Sequence, residues 1–146
     1  MDLGERVYFY MPDNLAKDQI NRGKFNCAEA VYRAIVDKYE LSVSDDAKVL
    51  MSAFGGGMFM GDVCGLLIGG YAGLASMYAN KTAPSSNDVL KEACREWYKR
   101  FNNLFDTVDC NKMRPATGGC SNYGRLAGKL FEQMIKDLEK IRSFEV

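Results

Sequence analysis

A chain of 146 residues, with 47% apolar side chains, 19 basic against 19 acidic residues and no histidine, is expected to form one domain that buries roughly two-thirds of the surface of its unfolded form. A formal net charge of zero gives no field to draw in nucleic acid or an anionic membrane. The missing histidine excludes Ser-His-Asp and Cys-His nucleophile pairs, HExxH zinc sites and CxxCH haem attachment.

The opening Met1-Asp2-Leu3-Gly4-Glu5-Arg6 carries acidic residues and no apolar run behind a basic region, so no secretory signal is predicted. The most apolar stretch, Val63 to Ala79, contains four glycines and falls short of a membrane-spanning helix. A cytoplasmic protein is expected. There thiols stay reduced, and cysteines serve metals or catalysis more often than structural disulfides. An odd count of five cysteines also argues against a fully paired framework.

In chain order, Val7-Tyr8-Phe9-Tyr10 has the composition of an extended segment, which predicts an arm over residues 1–11. Pro12 and Asp13 open a short helix, Asn14 to Asn21, that stops near Gly23. Asn26 with Glu29 has the spacing of a capping box. It predicts a second helix to about Glu40, with Ala30, Val31, Ala34, Ile35 and Tyr39 at helical spacing. Ser44, Asp45 and Asp46 cap a third helix whose apolar face includes Val49, Leu50, Ala53 and Phe54, ended by Gly55-Gly56-Gly57.

A fourth helix is predicted from Gly61 and Asp62 to Tyr78. Its glycines Gly61, Gly65, Gly69 and Gly73 lie four apart along one stripe. Each glycine in a helix costs about 1 kcal/mol relative to alanine. The stripe therefore implies a close neighbour: a second helix first, a cofactor or a symmetry-related copy as alternatives. Ser86 or Asn87 caps a fifth helix with a core face of Val89, Leu90, Ala93, Cys94, Trp97, Phe101, Leu104 and Phe105. Asp109 to Gly119 reads as irregular. A last helix starts near Ser121 or Asn122 and carries Leu126, Leu130, Met134, Leu138 and Ile141. The fold class is all-α, a compact bundle of about six helices around the glycine-striped one. A homo-oligomer, most simply a homodimer, is expected from its aromatic content.

Cys27 falls directly after the Asn26 cap, Cys64 in the first turn of the striped helix, and Cys120 just before the last helix. At helix N-termini free amides and the dipole favour a thiolate, the form that attacks disulfides and binds metals. Cys110 is placed at a helix exit near Lys112 and Arg114. Cys94, on the apolar face of the fifth helix, reads as a small buried hydrophobe. Without a CxxC pair, buried inert cysteines stand as the structural alternative.

Asn26-Cys27-Ala28-Glu29-Ala30-Val31, Phe54-Gly55-Gly56-Gly57-Met58 and Gly61-Asp62-Val63-Cys64-Gly65 with Gly69 resemble the C_GCAxxG_C_C family of redox-active proteins. Arg100-Phe101-Asn102 through Asp109-Cys110 resembles the family's third cysteine region, and Cys120 its fourth. The resemblance spans about Gln19 to Ile141. It implies a small helical protein whose redox site is Cys27, Cys64, Cys110 and Cys120. A likeness to the non-haem part of split-Soret cytochromes implies an iron–sulfur centre.

Three chemistries compete on these residues. Four thiolates suit a metal centre, and an iron–sulfur cluster is preferred over zinc because paired CxxC knuckles are missing. Metal-free thiol–disulfide exchange, with Cys27 and Cys64 as the first pair to test, would use a redox partner protein or a small thiol. Gly55-Gly56-Gly57 before a helix suggests an anion-binding module, but the Gly-Lys-Ser/Thr of a P-loop is missing, and a tight interhelical turn is the simpler expectation. Met58 and Met60 are expected to fill the core, with soft metal ligation as the alternative.

Overall fold

The computed structural model describes residues 1–12, 25–115 and 119–144. The helix expected over Asn14 to Asn21 lies outside the described residues. Seven α-helices are found among them: α1 Leu3–Tyr10, α2 Cys27–Lys38, α3 Asp45–Val49, α4 Gly65–Tyr78, α5 Asp88–Phe105, α6 Cys110–Met113 and α7 Ser121–Phe144. The all-α expectation is met. Local signals set several starts: Asn26 and Glu29 form the reciprocal capping box of α2, Ser44 caps α3 and Asn87 caps α5. Among the described residues no helix is long and apolar enough to cross a membrane.

Helix packing forms a closed ring, in which α7 meets α1, α1 meets α2, α2 meets α4, α4 meets α5 and α5 returns to α7. Trp97 sits fully buried at its centre. Its ring packs edge-on against Phe101 and Phe131, at 5.5 and 5.2 Å between centroids. Its Nε1 donates to the Leu67 carbonyl at 2.9 Å, so the one polar atom it brings into the core is satisfied. Beside it, the glycine stripe serves helix packing, as favoured above. A Cβ at Gly69 would stand 2.6 Å from the Ala28 carbonyl oxygen, and one at Gly73 2.5 Å from Ile35 Cδ1.

The arm expected over residues 1–11 is instead mostly α1. Asp2 accepts from the Glu5 amide at 2.8 Å as its N-cap, and Glu132 of α7 accepts from the Leu3 amide at 2.8 Å. Leu3 and Val7, one turn apart, are fully buried. At the crossing, a Cβ on Gly128 would lie 2.7 Å from Gly4 Cα. Burial against α7 thus overrides the strand-like composition of Val7 to Tyr10.

Two expected core faces are also corrected. Val49 and Leu50 are 56% and 68% exposed, because the third helix breaks into a 3₁₀ turn over Leu50–Ala53. On α7 the buried residues include Ala127, Phe131, Met134 and Ile135, while Leu126 and Ile141 face outward. The aromatic Phe131 reaches Trp97 and sets the rotation of the helix. Likewise Leu104 at the end of α5 is exposed.

Candidate functional site

Each of the four cysteines singled out by the sequence lies at or beside a helix start. Cys27 is the first residue of α2, and Asn26 Nδ2 donates to the Ser52 carbonyl at 2.9 Å, which ties that start to the 3₁₀ turn. Cys64 immediately precedes α4, and its carbonyl accepts from the Leu67 and Ile68 amides. Cys120 directly precedes α7. Cys110, expected at a helix exit within an irregular stretch, is the first residue of α6, where Asp109 accepts from the Lys112 amide at 3.1 Å.

The fourth helix begins at Gly65 and not at Gly61. Between α3 and α4 the backbone turns left-handed over four residues, with φ of +59° at Gly56, +63° at Gly57, +61° at Met58 and +58° at Phe59. Non-glycine residues in this region cost roughly 1–2 kcal/mol each. Contacts at Gly57 show what the turn achieves. A Cβ there would lie 2.4 Å from the Asp62 amide nitrogen and 2.8 Å from Cys110 Cβ, so only glycine lets the turn close over Cys110. Similarly, a Cβ at Gly65 would stand 2.4 Å from Cys27 Sγ.

Cys27, Cys64, Cys110 and Cys120 all line one cavity of about 60 Å³. That is room for more than one water-sized group. Leu66, Met113 and Tyr123 complete an apolar lining, with Gly56 and Arg114 also on the wall. Arg114 Nη2 donates toward Cys110 Sγ at 3.7 Å. All five cysteines are free thiols. Cys94 stays half-buried on α5, beside Tyr71, and does not line the cavity.

Burial governs these thiols more than helix ends do. Cys64 is pushed up to about 12, chiefly by burial, against the Leu66 and Leu67 amides that favour its charged form. Burial also raises Cys27, opposed mainly by the Gly56 amide. Cys120 is raised first by burial and then by its nearness to Cys27 and Cys110, with Arg114 opposing. The expected thiolate-favouring amides are present at Cys27 and Cys64, yet desolvation outweighs them. Free of metal, these three thiols hold their protons at neutral pH.

Leu66, Met113 and Tyr123 were not legible as site residues. Met113 follows Cys110 by three positions, a helical spacing hidden because the segment reads as irregular. Met58 and Met60 neither fill the core nor line the cavity, being 37% and 81% exposed. The left-handed turn carries them outward. Among the described residues no group of three or more His, Cys, Asp or Glu side chains is placed to hold a metal ion.

The fold and the cavity together define an all-helical protein with four cysteines gathered from four separate segments onto one wall. Residues 25–138 match the family described as "Putative redox-active protein (C_GCAxxG_C_C)". The chain belongs to this family, in agreement with the resemblance carried by the Cys27 and Gly55–Gly69 segments. No match is found among curated proteins or among solved structures.

Proposed function

We propose that the chain is an electron-transfer protein whose four-cysteine cavity holds an iron–sulfur centre. One observation carries the reading: all four thiols, not just two, line the same apolar cavity. A dithiol exchange needs a pair, whereas a two-iron cluster takes four cysteines. A two-iron cluster takes two thiolates on each iron, and the paired CxxC knuckles usual for structural zinc are missing from this sequence. The donor set fits such a group, being all sulfur, with amides of Gly56, Ala28, Leu66 and Leu67 favouring charge on Cys27 and Cys64.

Bound there, the centre would supply single-electron uptake and release. Cys27, Cys64, Cys110 and Cys120 would hold it, giving up their thiol protons on loading. Leu66, Met113 and Tyr123 would limit water at the sulfurs. Phe59 and Met60, 73% and 81% exposed on the turn that begins beside the cavity, supply an apolar surface for a redox partner protein.

Metal-free thiol–disulfide exchange is the second reading, favoured by the placement of Cys27 and Cys64 on the same cavity. In it the two thiols would pass two electrons and two protons to an incoming disulfide, forming one bridge and releasing two thiols. Purification without oxygen, followed by iron and sulfide analysis and a visible spectrum, separates the two. Bound iron and sulfide with colour, lost on Ser substitution of any of the four cysteines but kept in Cys94→Ser, is the expected result. Colourless protein with all five cysteines titrating as thiols would overturn the cluster reading.

A further inference from the structure

We infer that Arg114 sets the reduction potential of the four-cysteine centre, making it easier to reduce. The inference rests on the iron–sulfur reading and assigns a positioning residue within it. Arg114 is the only charged side chain lining the cavity among the described residues. Its Nη2 lies 3.7 Å from Cys110 Sγ, and its amide donates to the Cys110 carbonyl at 3.0 Å, so Arg114, an exposed residue capping the end of α6, brings its guanidinium to the thiol from the rim of the cavity. The same guanidinium is the one group found to favour the charged form of Cys120. Two of the four sulfurs therefore share this cation.

Reduction adds negative charge to the centre. A fixed positive charge a few ångströms away stabilises the reduced state, and the neighbouring wall of Leu66, Met113 and Tyr123 offers no competing ion. Lys112 supplies the control. It sits on the same short helix, is exposed, and does not line the cavity.

The test is the midpoint potential of the loaded full chain, followed spectroscopically during a reductive titration. In Arg114→Gln the reduced-to-oxidised ratio at a fixed potential should fall by roughly tenfold, a negative shift of about 59 mV for one electron. Arg114→Lys should recover most of that shift, and Lys112→Gln should leave the potential in place. If the glutamine variant does not load, Arg114→Met serves as a second neutral variant. An unchanged potential in the neutral variant, or an equal shift in Lys112→Gln, overturns the inference while the cluster reading stands. Wild-type protein without a cluster overturns both.

Discussion

Cys64 and Cys110 are fastened to each other through their backbones. The Cys64 amide donates to the Val108 carbonyl at 2.8 Å and the Cys110 amide to the Asp62 carbonyl at 2.6 Å. These two bonds flank an isolated antiparallel bridge between Val63 and Asp109. Their sulfurs consequently face one cavity without any side-chain bond between them. Sheet-type pairing, confined to this spot among the described residues, here positions chemistry in a helical protein.

The clamp depends on Gly57. In Gly57→Ala the new methyl would meet the Asp62 amide and Cys110 Cβ while holding φ at +63°. A loss of roughly 1–3 kcal/mol is expected from the forced backbone. Urea unfolding should show a lower midpoint, and Cys110 should become quicker to alkylate. A variant with unchanged midpoint and unchanged alkylation would show that the turn does not need its glycine.

Asn26 performs two tasks at the head of α2, capping the helix and holding the Ser52 carbonyl. Replacing it with alanine should lower stability by about 1 kcal/mol. Replacement by aspartate keeps the cap but loses the donor to Ser52, so it should recover only part of that loss. Chemical denaturation of the three proteins checks the order.

Raised thiol pKa values give a signed pH dependence for the reduced, metal-free protein. Cys64 titrates at about 12 when folded against 9.0 ordinarily, so the unfolded chain loses its proton first. The associated stability is complete below about pH 9 and declines as pH rises toward the folded value, by up to about 1.4 kcal/mol per pH unit. Tyr10 and Tyr71, both pushed to about 12 by burial, add in the same direction above pH 10. Urea midpoints should be level from pH 7 to 8 and fall by pH 10; a flat profile to pH 10 contradicts the burial of these groups.

At Gly70 a Cβ would lie 2.3 Å from Trp97 Nε1, whereas at Gly119 nothing stands within 4 Å. Gly70→Ala should displace the indole and break its bond to Leu67, losing roughly 1–3 kcal/mol. Gly119→Ala should change stability by no more than about 0.5 kcal/mol. Tryptophan fluorescence should shift in the first variant alone.

Features decided by neighbours in sequence were the legible ones. The Asn26–Glu29 box, Ser44 and Asn87 name their helix starts, because a cap needs only residues three positions away. For α1 the local signs conflict: Asp2 caps the Glu5 amide in the same way, while the run Val7 to Tyr10 has strand-like composition. Burial of Leu3 and Val7 decides for the helix, and that contact is visible only in three dimensions. Gly61 resembled a helix start because glycine spacing cannot distinguish a packed stripe from a left-handed turn. For the site, the sequence supplied the four cysteines but not Met113 or Tyr123, whose place on the wall follows from how α6 and α7 meet. Thiol acidity departs from the helix-end expectation for a related reason. Helix position is local, while desolvation is collective.

The four sulfurs come from widely separated stretches of chain, and this has a consequence for biosynthesis. Cys27 and Cys64 leave the ribosome well before Cys110 and Cys120, and α7, which closes the ring, follows them. Early thiols thus meet the surrounding medium unguarded on a nascent chain. A group held by all four thiols would have to be installed after Cys120 and the helix that follows it have emerged.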